Sequence, residues 1–182
     1  MSPASPSKGV VLTTERLTLR QPDLADEPRM AALVGPEAVH RHLGGPQTPE
    51  ESWNRFVRGA GCWSLFGYGP FVVERTSDGR FVGNCALLRG KRGLGRAFDS
   101  VPEAGWVLAH WAWGRGYAGE AMGAVLSWLD EGPRTSAVVA MIDPDNRASI
   151  VLAGRLGFRA WGSARYRDEP VRRFRRPAPD GG

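Results

Sequence analysis

Two short segments carry residue types and spacings that can do chemistry. The first is Trp113-Gly114-Arg115-Gly116-Tyr117-Ala118-Gly119-Glu120-Ala121. Its glycines directly follow the apolar run Trp106-Val107-Leu108 and directly precede an amphipathic helical pattern. A strand that ends, glycines that turn the chain, and a helix start whose amides have no intrahelical acceptor together make an anion cradle. The ligand this implies is a phosphate or pyrophosphate. The second segment is Asp143-Pro144-Asp145-Asn146-Arg147-Ala148-Ser149-Ile150, closed by Arg155-Leu156-Gly157-Phe158. Asn146 suits a helix cap and Gly157 a helix stop. His40, His42 and His110 show no metal-ligand spacing and read as structural or solvent-exposed, so no metal is expected.

The elements that must hold these segments follow from pattern. Thr14–Arg20 alternates apolar and polar residues and reads as a first strand, with Leu17 and Leu19 on one face. A helix follows from Asp23 to about Val34. A second starts at Thr48-Pro49-Glu50-Glu51, a capping box with proline in the first turn, and is expected to reach about Arg58. Phe71–Glu74 and Phe81–Leu88 read as strands joined by a turn at Ser77-Asp78-Gly79. A Gly- and Arg-rich loop over 90–102 leads to a strand at Glu103–Ala109. Then come a helix from about Arg115 to Asp130, a strand at Ser136–Ile142, a helix at Asn146–Leu156, and strands near 158–166 and 171–176. The order β-α-α-β-β-β-α-β-α-β-β predicts an α/β (α+β) fold, a mixed sheet flanked by helices. Residues 1–10 are expected to be a loose leader, 11–176 the domain and 177–182 a tail.

Composition bounds the function. A chain of 182 residues with 42% apolar and 24% charged residues builds one domain with its own core. Cys62 and Cys85 fit neither a disulfide framework nor a metal site, and no apolar run is long enough to span a membrane. A cytoplasmic protein is expected, acting away from membranes. The net charge is +5, nearly all of it from arginine, gathered at Arg89–Arg96 and over the last third of the chain. No nucleic-acid reading motif accompanies the arginines, so nucleic acid is not an expected partner.

Thr14-Glu15-Arg16-Leu17, Gly105-Trp106-Val107-Leu108, Gly116-Tyr117-Ala118, Asn146-Arg147-Ala148-Ser149 and Leu156-Gly157-Phe158, in this order, resemble the GCN5-related N-acetyltransferase (GNAT) superfamily. The resemblance is specifically to the branch that includes ribosomal-protein N-terminal acetyltransferases, and it covers roughly residues 12–176. It implies a sheet whose central strands, here Glu103–Ala109 and Ser136–Ile142, splay apart. Acetyl-CoA would be the co-substrate, its pantetheine arm lying in the gap. Backbone groups of Val107, Leu108 and Ala109 would pair with that arm. The cradle Gly114, Arg115, Gly116, Tyr117, Ala118 and Gly119 would take the pyrophosphate. Asn146 and Ser149 would form the second wall. The family's turn usually opens with Arg or Gln, where this chain has Trp113.

The resemblance also implies direct attack of a neutral amine on the thioester, which needs a proton acceptor. Glu103 is the first candidate; Asp99, Asp143 and Asp145 are rivals. Ser149 could return a proton to the leaving thiolate. Many relatives carry a tyrosine for that task where this chain has Ala153, and Tyr166 is a possible substitute. The amine-bearing acceptor would enter opposite the cofactor, past Trp63, Phe66 and Tyr68. A monomer or homodimer is expected, and the identity of the amine stays open.

Overall fold

The computed structural model describes residues 9–132 and 137–178. The first expected strand is a hairpin of two, β1 (Val11–Thr13) and β2 (Leu17–Arg20). The reversal is local. The Thr14 N–H donates to the Leu17 carbonyl at 2.9 Å, and the Leu17 N–H donates to the Thr14 hydroxyl oxygen at 3.0 Å. Asp23 caps a short 3-10 turn that leads into α1 (Glu27–Leu33) and the single-turn α2 (Glu37–His40).

Helix α3 (Pro49–Phe66) starts at its capping box, with Glu51 N–H on the Thr48 hydroxyl and Thr48 N–H on the Glu51 carboxylate. It continues past Arg58 because Gly59 serves packing. A Cβ there would sit 3.0 Å from the Pro70 ring, so the missing side chain lets helix and sheet approach. The helix ends at Gly67, which takes the left-handed conformation at φ 72°.

The rest of the chain runs β3 (Pro70–Arg75), β4 (Phe81–Leu88), the single-turn α4 (Arg96–Asp99), β5 (Glu103–Leu108), α5 (Tyr117–Glu131), β6 (Ala137–Ile142), α6 (Arg147–Arg155), β7 (Arg159–Tyr166) and β8 (Glu169–Pro177). The expected first residue of β6, Ser136, and the ends of the expected leader and tail lie outside the described residues. The loop over 90–102 contains α4 because Phe98 is buried and anchors it. Gly157 stops α6 as expected, with the Phe158 N–H returning to the Ala153 carbonyl at 3.0 Å.

The eight strands form one mixed sheet in the order β1-β2-β3-β4-β5-β6-β8-β7. On one face Leu17, Leu19, Phe71, Val73, Leu87, Ala104 and Leu108 meet Ala121, Met122, Val125 and Leu129 of α5, all buried. Each large aliphatic or aromatic side chain so covered stabilises the fold by about 1.5–3 kcal/mol. Trp63 ties α3 into this layer, 5.0 Å from Phe71 and 5.7 Å from Trp128 between ring centroids. Every neighbouring strand pair is antiparallel except β5 and β6. That parallel pair shares a single register pair, Glu103 with Val139, next to a bond from the Val139 N–H to the Pro102 carbonyl. Beyond it the strands diverge, and the central sheet opens into a wedge.

Candidate active site

One side of the wedge is the free edge of β5. The Ala109 N–H donates to Val82 of β4 at 2.9 Å. Backbone groups alternate along a strand, so Ala109 and Val107 face β4 while Trp106 and Leu108 face the wedge. Of the three backbone positions expected to meet an acyl-pantetheine arm, Leu108 is the one turned to it. Its carbonyl accepts the Trp113 indole N–H at 2.8 Å, which leaves its amide open. Trp113, the departure in the turn, thus braces the end of β5 and stacks edge-on with His110.

The glycine turn lies at the mouth of the wedge. Gly114 and Gly116 have φ of 71° and 79°, values that glycine reaches without strain, and Gly116 is the N-cap of α5. None of the backbone N–H groups from Gly114 through Gly119 donates to another group among the described residues. Six consecutive open amides at a helix N-terminus, together with the helix dipole, are an arrangement suited to an anion. Arg115 does not extend freely from the turn. Its Nε donates to the Trp111 carbonyl at 3.0 Å, and its own carbonyl accepts Arg16 Nη1 at 3.0 Å.

The Thr14-Glu15-Arg16 motif supports this turn from the N-terminal hairpin. Glu120, in the first turn of α5, accepts the Thr14 hydroxyl at 2.6 Å, the Arg16 backbone N–H at 2.9 Å and Arg16 Nε at 2.7 Å. Burial raises the Glu120 pKa, but the bonds from Thr14 and Arg16 outweigh it and hold the group below the usual carboxylate range.

The far wall is the start of α6. Asn146 caps the helix through its Oδ1, which accepts the Ser149 N–H at 3.1 Å. The Ser149 hydroxyl accepts the Trp106 indole N–H at 3.2 Å. This bond bridges the wedge from β5 to α6 and leaves the serine proton free to donate. Trp106 belongs to the Gly105–Leu108 motif, whose local sequence gives no sign of this bond. Only the divergence of the strands makes its indole a bridge. Ala153, on the inner face of α6, is fully buried and carries no polar group to the wedge.

Glu103, Gly105 and Val107 share the face of β5 that points away from α5. Val107 packs there against Leu33, Val34 and Val39 of α1 and α2. A Cβ built on Gly105 meets nothing within 4 Å, so the strand forms the floor of an open cleft. Glu103 closes one end. It is 8% exposed and takes both arms of Arg92, Nε at 2.8 Å and Nη2 at 3.1 Å. Arg92 Nη1 donates to the Tyr166 hydroxyl at 3.0 Å. Two residues widely separated in sequence, Glu103 and Tyr166, therefore meet through the guanidinium of Arg92, a residue of the Gly- and Arg-rich loop. Burial raises the Tyr166 pKa, but the Arg92 hydrogen bond and charge outweigh it and leave the phenol lowered. Asp99 is occupied with the Arg92 and Gly93 backbone amides.

Asp143, immediately after β6, pairs with His42 Nδ1 at 2.5 Å, and Arg41 Nε donates to His42 Nε2 at 3.1 Å. Burial raises the Asp143 pKa, but the His42 bond outweighs it and lowers the group overall. The adjacent Asp145 offers its N–H to Asp143.

Trp63 and Phe66 belong to α3, not to a loop. Trp63 donates to the Pro70 carbonyl at 2.9 Å within the core layer. Phe66 stacks on Tyr68 at 5.8 Å and lies under Arg89. Tyr68 is 4% exposed, and its hydroxyl has no partner among the described residues. Burial pushes its phenol up. Cys85 is fully buried, and burial pushes its thiol up to about 12, which keeps it unreactive.

A splayed parallel pair with open helix amides at its mouth defines an acyltransferase-type fold. The acetyltransferase (GNAT) domain matches residues 16–159, and the chain belongs to this family of acetyltransferases. A putative GNAT-family acetyltransferase from Bordetella pertussis is 32% identical, with 92% of this chain and 99% of that one covered at a TM-score of 0.83. The uncharacterised protein YkkB of Bacillus subtilis is 28% identical over 91% of this chain and 94% of its own length. A ribosomal L7/L12 alpha-N-protein acetyltransferase, RimL, solved with coenzyme A, shares the fold at a TM-score of 0.74 and 18% identity, covering 92% of this chain and 98% of that one.

Proposed function

We propose that the protein moves an acetyl group from acetyl-CoA to a primary amine, on a small molecule or a protein N-terminus, by direct attack within a ternary complex. The observation that carries this reading is the run of six open amides at Gly114–Gly119 beside the free edge of β5. That pair of features suits a pyrophosphate followed by an extended amide-bearing arm. The coenzyme A bound to the structurally similar RimL points the same way.

In this reading the amine enters over Gly105. Its proton passes to Glu103, directly or through one water, because an ammonium has no lone pair. Arg92 holds that carboxylate in place and keeps Tyr166 beside it. The nitrogen bonds to the carbonyl carbon, and the oxyanion is received by the Leu108 amide. As the carbon–sulfur bond breaks, the leaving thiolate takes a proton from Ser149, whose hydroxyl Trp106 orients, or from Tyr166. Holding both reactants in one cleft supplies much of the acceleration.

The test is thiol release from acetyl-CoA across a panel of primary amines. Glu103→Gln should lower kcat/KM by about 100-fold, the lower end of what a positioned base contributes. Gly116→Glu should abolish acetyl-CoA binding, since its side chain needs a left-handed backbone and brings a negative charge to the cradle. A wild-type protein that does not bind acetyl-CoA in calorimetry ends this reading.

A further inference from the structure

The inner stripe of α3, formed by Ser52, Arg55, Gly59, Cys62 and Phe66 at helical spacing, contains one charged residue. Arg55 lies on this half-buried stripe, yet it forms no ion pair or hydrogen bond among the described residues. Burial first, and then the charges of Arg92 and Arg58, lower its pKa. A guanidinium held in a partly dry site against like charge is costly unless something anionic joins it.

The opposite wall repeats the pattern. The β7–β8 hairpin turns on Arg167 and Asp168, at φ 51° and 64°. Positive φ at both central residues is what a two-residue type I′ hairpin turn requires, and this turn carries a cation at its tip. Here it presents Arg167 5.5 Å over the Tyr166 ring, while Arg92 lies 5.1 Å from the same ring. Glu103 is committed to Arg92 in a two-pronged pair. The positive charge of this end of the cleft therefore exceeds its negative charge, and Arg55 is its half-buried member without an anionic partner among the described residues.

We infer that the acceptor carries, besides its amine, an anionic group, a carboxylate or a phosphate, which Arg55 receives while the amine lies over Gly105 near Glu103. This rests on the acetyl-transfer reading and adds the acceptor's class to it. The geometry is a two-point clamp: cation-rich α3 and hairpin for the acid, the carboxylate of Glu103 for the ammonium as it arrives.

Equilibrium binding to the full chain saturated with coenzyme A tests this without requiring turnover. The probes are matched pairs: an α-amino acid against its carboxamide, O-phosphoethanolamine against ethanolamine, and a short peptide with aspartate against one with asparagine at its second position. We expect at least one acid-bearing member to bind at least tenfold more tightly than its partner. The pair that discriminates most separates free carboxylate, phosphate and peptide side-chain sources. In Arg55→Gln the discrimination should collapse, and in Arg55→Lys it should be partly restored, with thermal denaturation confirming that both variants fold. Equal or tighter binding of every neutral partner overturns the inference, as does a preference that Arg55→Gln leaves intact. Absence of acetyl transfer to any amine would instead count against the reaction and leave these binding ratios meaningful.

Discussion

Gly105→Val separates the acceptor cleft from the fold and from the cofactor cradle. Gly105 sits in the interior of β5 with ordinary strand dihedrals, and an added Cβ meets nothing within 4 Å. A glycine in a strand interior costs roughly 0.5–1 kcal/mol relative to alanine, and a β-branched residue fits a pleated strand better still. The variant should therefore be at least as stable as the parent. For a chain of this length about 1 kcal/mol corresponds to about 2–4 °C, so calorimetry should show a Tm unchanged or raised by a few degrees. The valine methyl groups would occupy the floor between Glu103 and Val107, where the proposed function puts the amine. Displacing an attacking group by about 1 Å costs on the order of 100-fold, so kcat/KM for the amine should fall by at least that factor. The cradle at Gly114–Gly119 is untouched, and the Kd for acetyl-CoA should stay within about threefold of the parent, less than 1 kcal/mol. A variant that keeps its full activity, or one that unfolds, would refute the placement of the cleft on this face of β5.

Other outcomes follow from the same geometry. Burial raises the Asp26 pKa, but the bonds from Arg20, the Asp23 backbone and Arg29 outweigh it and bring the group from 3.8 to about 2. The depressed value means that stability is fully present above about pH 4 and is lost as pH falls toward 2, about 2 kcal/mol in all. Urea unfolding at pH 6 and pH 2.5 should show that loss in the parent and not in Asp26→Asn, which should already be destabilised at pH 6. Asp168→Gly should relieve one left-handed residue of the β7–β8 turn and stabilise by roughly 1 kcal/mol, a Tm rise of about 2–4 °C. A lower Tm would mean that the turn is not strained. Trp106→Phe removes the 3.2 Å bond to Ser149, worth about 1 kcal/mol, and should lower kcat about fivefold. Adding Ser149→Ala to Trp106→Phe should then cost less than Ser149→Ala does alone, because the two side chains share one bond.

Much of the site was legible because it is local. Gly114, Gly116 and the helix start that follows are contiguous, so spacing alone implies a cradle, and Asn146 and Gly157 bracket α6 for the same reason. Thr48 and Glu51 announce their helix by a bond that spans three residues. The misreadings are local as well. Period-two alternation carried the first strand through Thr14, where a side-chain bond turns the chain, and two glycines at 59 and 61 hid the second half of α3.

The sequence by itself determined the family, the order of elements and the backbone cradle, since each depends on residues within a turn or two of one another. Tertiary structure decided the rest. It brought Glu103, Arg92 and Tyr166 into one cluster and placed Trp106 across the wedge on Ser149. It bound Glu120 to the N-terminal hairpin and set Arg55 on an inward stripe without a counter-charge. Those relations depend on how strands order and splay in the sheet. Sheet order arises from burial summed over the whole core, which no short window of sequence contains.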